Sequence, residues 1–180
     1  MPLAGKKIAI VAMGRSQLDY HLSISHSQEY DEVWAIGSMC AVVKADRAFV
    51  MDPATRFFDT FDAGPQTKVM CRTLPRLEIP IYSCVKDNRV PAIELYPLEE
   101  VIKATGCAYF NNSIAYAIAF ALYQEVGQST CLVQILPTRQ MFILVRWEEP
   151  VVSFGYQSVY RKILMSLLLL RLHYWTLMFQ

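Results

Sequence analysis

Three short groups of residues have types and spacings that could do chemistry. The first is Gly14-Arg15-Ser16-Gln17, which follows the apolar run Lys7 to Met13. A glycine after a strand lets backbone N–H groups approach a phosphate, and the start of a following helix favours negative charge. Arg15 adds a planar cation suited to phosphate oxygens. The segment is neither G-x-G-x-x-G nor G-x-x-x-x-G-K-S/T, so a simple tight turn stands as the other reading. The second group is Asp52, at the expected carboxyl end of a third strand, with Pro53, Arg56, Asp59 and Asp62 close behind. A carboxylate there could hold a metal, a ribose hydroxyl or an acceptor proton, while an Asp-Pro turn opener explains the same residues without a ligand. The third is Asn111-Asn112-Ser113, just ahead of a strongly apolar helix. These residues serve either as side-chain caps or as a second anion or sugar contact. His21, His26 and His173 show no metal spacing, although His21 lies near the Gly14 turn. No Ser/His/Asp or Cys/His nucleophile pattern emerges.

Such groups act only if the chain brings them to one place, and the composition bounds how. The 180 residues are 54% hydrophobic and carry 17 Lys+Arg against 16 Asp+Glu, enough for one domain with a sizeable core. A net charge of +1 leaves no long-range field to hold a polyanion, which argues against nucleic acid as a partner. Five widely spaced cysteines without a C-x-x-C pair indicate neither a disulfide framework nor a zinc site, and fit a reducing, cytoplasmic compartment. No signal-peptide pattern precedes Lys7, and the most apolar run, 163–170, falls short of a membrane span.

Along the chain, Lys7 to Met13 reads as a buried parallel strand ended by Gly14, with a helical piece following through Tyr30. Glu32 to Gly37 reads as a second strand, Cys40 to Lys44 as a helical turn, and Arg47 to Asp52 as a third strand stopped by Pro53. A loop or flap is expected from Pro53 to Gln66, then a short helix over Lys68 to Leu74 and a strand over Ile79 to Val85. Pro97 to Thr105 predicts a helix closed by Gly106, and Cys107 to Phe110 a short strand. Ser113 to Val126 is the clearest helix, apolar on nearly all sides from Ile114 to Tyr123 and therefore expected to be buried against a sheet. The aromatic residues in this stretch read as packing. Thr130 to Ile135 is the next expected strand. Strands alternating with helices predict an α/β fold, Rossmann-like, with a mostly parallel sheet and helices on both faces. In such sheets ligands sit outside the carboxyl ends of the strands, at a topological switch point. Gly14, Asp52 and Asn111 to Ser113 would all lie on that edge.

The stretches KKIAIVAMGRSQLDYH, EVWAIGSM, DRAFVMDPATRF, ELYPLEEVI and YFNNSIAYAIAFAL resemble short phage and metagenomic relatives of one transferase family. It includes archaeal hydroxymethylpterin diphosphokinases and the motility-associated-factor glycosyltransferases of bacteria. The resemblance spans roughly residues 5–132. It implies a Rossmann-like transferase core acting on a nucleotide or nucleotide-sugar, by glycosyl or diphosphate transfer. Read from the residues, Mg or Mn could accompany the nucleotide, with Asp52 meeting that metal or a hydroxyl. The first loop of that family usually reads G-x-G-P-S-L. Here residues 12–18 keep Gly14, Ser16 and Leu18 and lack one Gly and the Pro. The resemblance also implies that Asn111, Asn112 and Ser113 open a helix against the ligand. The alternative is a phage accessory or binding module that keeps the fold without catalysis.

A break in composition near residue 132 separates this domain from the rest. Residues 1–132 carry 12 Lys+Arg and 14 Asp+Glu, whereas 133–180 have no Asp, one Gly, two acidic residues, five basic ones and nine Leu. In the resembling family the strand after the apolar helix ends in a Gly-x-Asp-Phe-Thr-Tyr-like stretch. This chain continues Leu132-Val133-Gln134-Ile135-Leu136-Pro137-Thr138. Within codon degeneracy, reading from Val133 two bases later permits a product that begins ADFTYPTNVHF. It continues through a helix-like GRACCEFWLSVCVSK and a strand-like DIDVIVA, without a stop. Residues 133–180 are therefore expected to be a frameshift product. The competing expectation is a genuine apolar, basic tail that packs on the sheet or lies on a membrane surface, with Arg161, Lys162 and Arg171 at the interface.

Overall fold

Lys7–Val11 form strand β1, and four of its five residues are buried, as expected for a strand covered on both faces. This is seen in a computed structural model of the chain, which describes residues 3–14, 17–27, 29–60, 64, 66–110, 112–124 and 128–132. Strand β1 pairs in parallel with β2 (Glu32–Ile36) on one side and with β6 (Gln128–Leu132) on the other. Beyond β2 come β3 (Arg47–Phe49), β4 (Ile81–Ser83) and β5 (Ile93–Leu95). Among the described residues the sheet order is β5-β4-β3-β2-β1-β6 and every pairing is parallel, so the expected α/β, Rossmann-like sheet is present.

Alternate side chains on these strands feed two separate cores. Ala9, Val11, Ala35, Ala48 and Ile81 pack with α1 (Gln17–Ser25), the 3-10 turn Gly37–Ala41, α2 (Thr55–Phe58) and α3 (Thr67–Thr73). Ile8, Ile10, Trp34, Phe49 and Tyr82 pack on the other face with α4 (Leu98–Thr105) and α5 (Ser113–Tyr123). Helix α5 carries alanines at 115, 117, 119 and 121, all buried, which lets its backbone lie close to both the sheet and α4. Phe120 projects from it onto Trp34, Phe49 and Tyr82, with ring centroids 5.7, 5.6 and 4.6 Å away. Such aromatic pairs add about 1 kcal/mol each beyond the area they bury.

A polar network closes the amino edge of the sheet. Arg47 donates through Nε to Glu32 at 2.7 Å and through Nη1 to the Tyr82 hydroxyl at 3.0 Å, and Trp34 Nε1 donates to Glu32 at 2.9 Å. Burial alone would raise the Glu32 carboxyl. The hydrogen bonds from Arg47 and Trp34 more than offset it and hold the group below its ordinary range.

Several elements differ from expectation. Strand β3 ends at Phe49 rather than Asp52, and β4 covers only Ile81–Ser83 of the expected 79–85. Cys107 to Phe110 is not a strand. Gly106 closes α4 with φ +71°, and the following residues lead irregularly to the start of α5, where Phe110 packs on Tyr116 at 4.9 Å. The fifth strand is Ile93–Leu95 instead, with only Ile93 buried. The expected flap contains the one-turn helix α2, anchored by buried Phe57. The segment expected as a strand over Thr130 to Ile135 pairs over Gln128–Leu132, and the expected atypical tail, 133–180, lies outside the described residues. Among the described residues no helix is long and apolar enough to cross a membrane.

Candidate functional site

The strand order reverses beside β1. From β1 the chain proceeds through α1 to β2 and outward to β5, then returns by way of α4 and α5, on the opposite face, to β6 on the other side of β1. The gap between the carboxyl ends of β1 and β6, where Val11 and Leu132 are register partners, is thus a topological switch point.

Gly14 lies three residues past the end of β1 with φ +144°, a backbone conformation that a Cβ would strain. Its place at the mouth of the switch point and just ahead of α1 is the one the sequence predicts. Arg15 and Ser16 lie outside the described residues, and Gln17 is the first residue of α1.

Asp52 lies three residues beyond β3, two strands along the same edge from Gly14, a lateral offset of about 10 Å at ordinary strand spacing. Its carboxylate is half exposed and accepts from Arg56 Nη1 at 2.6 Å, while its carbonyl accepts from Ser83 Oγ at 3.4 Å. The recess beneath it, lined by Val50, Ala54, Leu74 and Ile81, is apolar and too tight for a water molecule. Two other carboxylates stand nearby in sequence or on the next loop, and both are taken up by one cation. Arg89 holds Asp59 at 2.5 and 2.9 Å and Asp87 at 2.9 and 2.6 Å, with its guanidinium 4.6 Å from the Phe58 ring centroid. Hydrogen bonds from the Arg89 side chain and backbone lower the Asp87 carboxyl to about 2. This clamp ties the loop after β4 to the end of α2. Among the described residues no three His, Cys, Asp or Glu are grouped to hold a metal ion. Among the described residues of this edge, Asp52 would give a divalent ion one carboxylate, to be joined by oxygens from a phosphate-bearing ligand.

Asn112 is the N-cap of α5. Its backbone is extended (φ −157°, ψ 162°) and Oδ1 accepts from the Ala115 N–H at 2.9 Å, which is the capping role the sequence allows. Ser113 is the first residue of the helix, and Asn111 lies outside the described residues. The Tyr96 hydroxyl, just beyond β5, donates to the Tyr116 carbonyl at 2.9 Å, fixing the first turn of α5 at the carboxyl edge. The structure thus brings Gly14, Asp52, Asn112 and Ser113 to one edge of the sheet. His21 is exposed on α1 and packs edge-on against Tyr20, 5.4 Å between centroids.

One pair of polar residues on this edge escapes the sequence reading. Ser38 is buried beyond the end of β2, after Gly37 with φ +57°, and its Oγ donates to Met13 Sδ at 2.9 Å. Gln66, ahead of α3, donates through Nε2 to the same sulfur at 3.4 Å. The signal was present, since Gly37-Ser38 follows an apolar strand just as Gly14 does. On the same face, burial pushes the Cys40 thiol up to about 11, which keeps it protonated and unreactive.

The arrangement defines a parallel α/β sheet with a glycine turn at its switch point. Compared with known proteins, the chain matches no family model, no curated protein and no solved structure.

Proposed function

We propose that the chain is a transferase-family domain, related to the hydroxymethylpterin diphosphokinase and motility-associated-factor glycosyltransferase family, that binds a nucleotide or nucleotide-sugar at the carboxyl edge of its sheet. The observation that carries this reading is Gly14, held at φ +144° beyond a strand with four of its five residues buried and directly at the switch point. Gly14, Arg15, Ser16 and Gln17 surround a phosphate. Asp52 meets a sugar or acceptor hydroxyl, or a Mg or Mn ion that arrives with the phosphates. Asn111, Asn112 and Ser113 present the start of α5 to the ligand. Binding orders the reacting groups at an edge where backbone N–H groups and helix starts already favour an anion.

A thermal-shift screen with CMP, CDP, UDP, GDP and ATP, with and without Mg²⁺ or Mn²⁺, tests it. A ligand present at about 100 times its dissociation constant stabilises by about 2.7 kcal/mol, a shift of several degrees. The shift is expected to vanish in Gly14→Val and to weaken in Asp52→Ala.

A second reading, a module that keeps the fold without catalysis, is favoured by two contacts that explain site residues without any ligand: the Asp52–Arg56 ion pair and the Asn112 cap. Absence of a shift with every nucleotide selects it. The frameshift reading of residues 133–180 bears on both. Leu132 is the register partner of Val11 at the end of β1, so a frame change at codon 133 would alter the sequence that directly follows the switch-point strand β6.

A further inference from the structure

The Ser38, Gln66 and Met13 cluster points to a second part of the site. Its residues come from the ends of β1 and β2, adjacent strands whose register pairs Val11 with Ala35, and from the residue that opens α3. Two good donors, a hydroxyl and a carboxamide, are aimed at one thioether sulfur, which is a weak acceptor. Ser38 is only 8% exposed, and buried hydroxyls are ordinarily paired with oxygen or nitrogen. Met13 is 47% exposed, unbranched, and free to turn about three side-chain bonds, so it can leave without disturbing a core. The donors it would release are neutral, and Ser38 can accept as well as donate. That chemistry suits a hydroxyl rather than a phosphate.

The spacing fits this. In dinucleotide-binding sheets the residue that meets the ribose lies at the end of the second strand, about 20 residues beyond the glycine turn, and is a carboxylate. Ser38 occupies the corresponding place, 24 residues beyond Gly14, with no carboxylate beside it in the Gly37–Ala41 turn.

We propose that Ser38 Oγ and Gln66 Nε2 form a sugar-hydroxyl subsite that reads the ribose of the nucleotide, with Met13 as the displaceable group that keeps both donors in place. This inference rests on the nucleotide reading above. Ligand entry exchanges two hydrogen bonds to sulfur for two to a hydroxyl oxygen, and the Met13 side chain swings outward.

The test pairs CDP, UDP and GDP with their 2′-deoxy counterparts against the full chain, by titration and thermal shift. The wild type is expected to prefer the ribonucleotide about three- to tenfold, because two bonds to sulfur are given up for two to oxygen and the net gain is about that of one neutral hydrogen bond. Ser38→Ala and Gln66→Met are each expected to reduce that preference, read as the ratio of ribo- to deoxynucleotide affinity within each variant. Gln66→Met serves also as the control for any loss of folding in Ser38→Ala. If ribo- and deoxynucleotides bind equally to wild type, or the preference survives in both variants, the subsite is overturned while the nucleotide reading stands. If none of the nucleotides binds wild type, both are overturned.

Discussion

At the scale of single residues, the most buried ion pair among the described residues belongs to the scaffold and not to the edge proposed to bind ligand. Glu32 and Arg47 are largely buried, so removing Arg47 leaves a carboxylate without its main partner. Arg47→Met is expected to cost about 3 kcal/mol in urea unfolding, and Glu32→Gln in the same chain to recover part of that loss. The carboxyl of Glu32 lies below its ordinary value of 4.5 in the folded protein. A depressed carboxyl contributes stability that is present above the unfolded value and lost as pH falls through the folded one. Melting temperature should therefore drop below about pH 4.5, and Glu32→Gln should flatten that part of the profile. Asp52 and Arg56, by contrast, are both about half exposed. Arg56→Ala is expected to change stability by less than about 1 kcal/mol, so any effect on ligand binding can be read directly. Asp52 and Asn112 were legible in the sequence as edge residues, each with two readings; the structure supplies the capping partner for Asn112 and pairs Asp52 with Arg56, a contact the turn reading did not include. Gly14 was legible because a buried strand must end in a turn. Ser38 carried only the signal of a glycine turn after an apolar strand, and Gln66 none, because their convergence on Met13 joins positions 25 and 53 residues distant along the chain.

At the scale of elements, what the sequence showed clearly was what burial on both faces demands. KIAIV and EVWAI are continuous apolar runs and became β1 and β2. SIAYAIAFALY, apolar nearly all round, became α5 between the sheet and α4. Its hold on the fold is measurable. Phe120→Ala is expected to cost about 3–5 kcal/mol, since the ring fills the space among three other aromatic rings. Asn112→Ala should cost about 1 kcal/mol through loss of the cap. Strand β5 went unseen because it is three residues long, lies at the sheet edge, and leaves Glu94 and Leu95 exposed, so it carries no alternation to detect. Cys107 to Phe110 looked strand-like because it sits between two helices. In fact the chain uses it to pass from the end of α4 to the cap of α5, with no sheet position to fill.

At the scale of the whole molecule, the reversal of strand order beside β1 gives the parallel sheet a topological switch point, the place where such sheets hold ligands. It places the glycine turn after β1 opposite the end of β6, with the polar Glu32–Arg47 network at the other edge holding the strands together. The composition break begins one residue past β6, so the coding DNA across codons 128–136 matters to any functional work. The frameshift reading predicts Asp-Phe-Thr-Tyr codons in the shifted frame, and a stop codon there would refute it. The central claim, a nucleotide site at the carboxyl edge, is tested most directly by amide hydrogen exchange with and without saturating CDP, UDP or GDP. Exchange is expected to slow in peptides covering residues 11–18, 36–41 and 50–56, and to stay unchanged around Glu32 and Arg47. Slowing confined to the Glu32–Arg47 edge, or none with any of the three nucleotides, would contradict it.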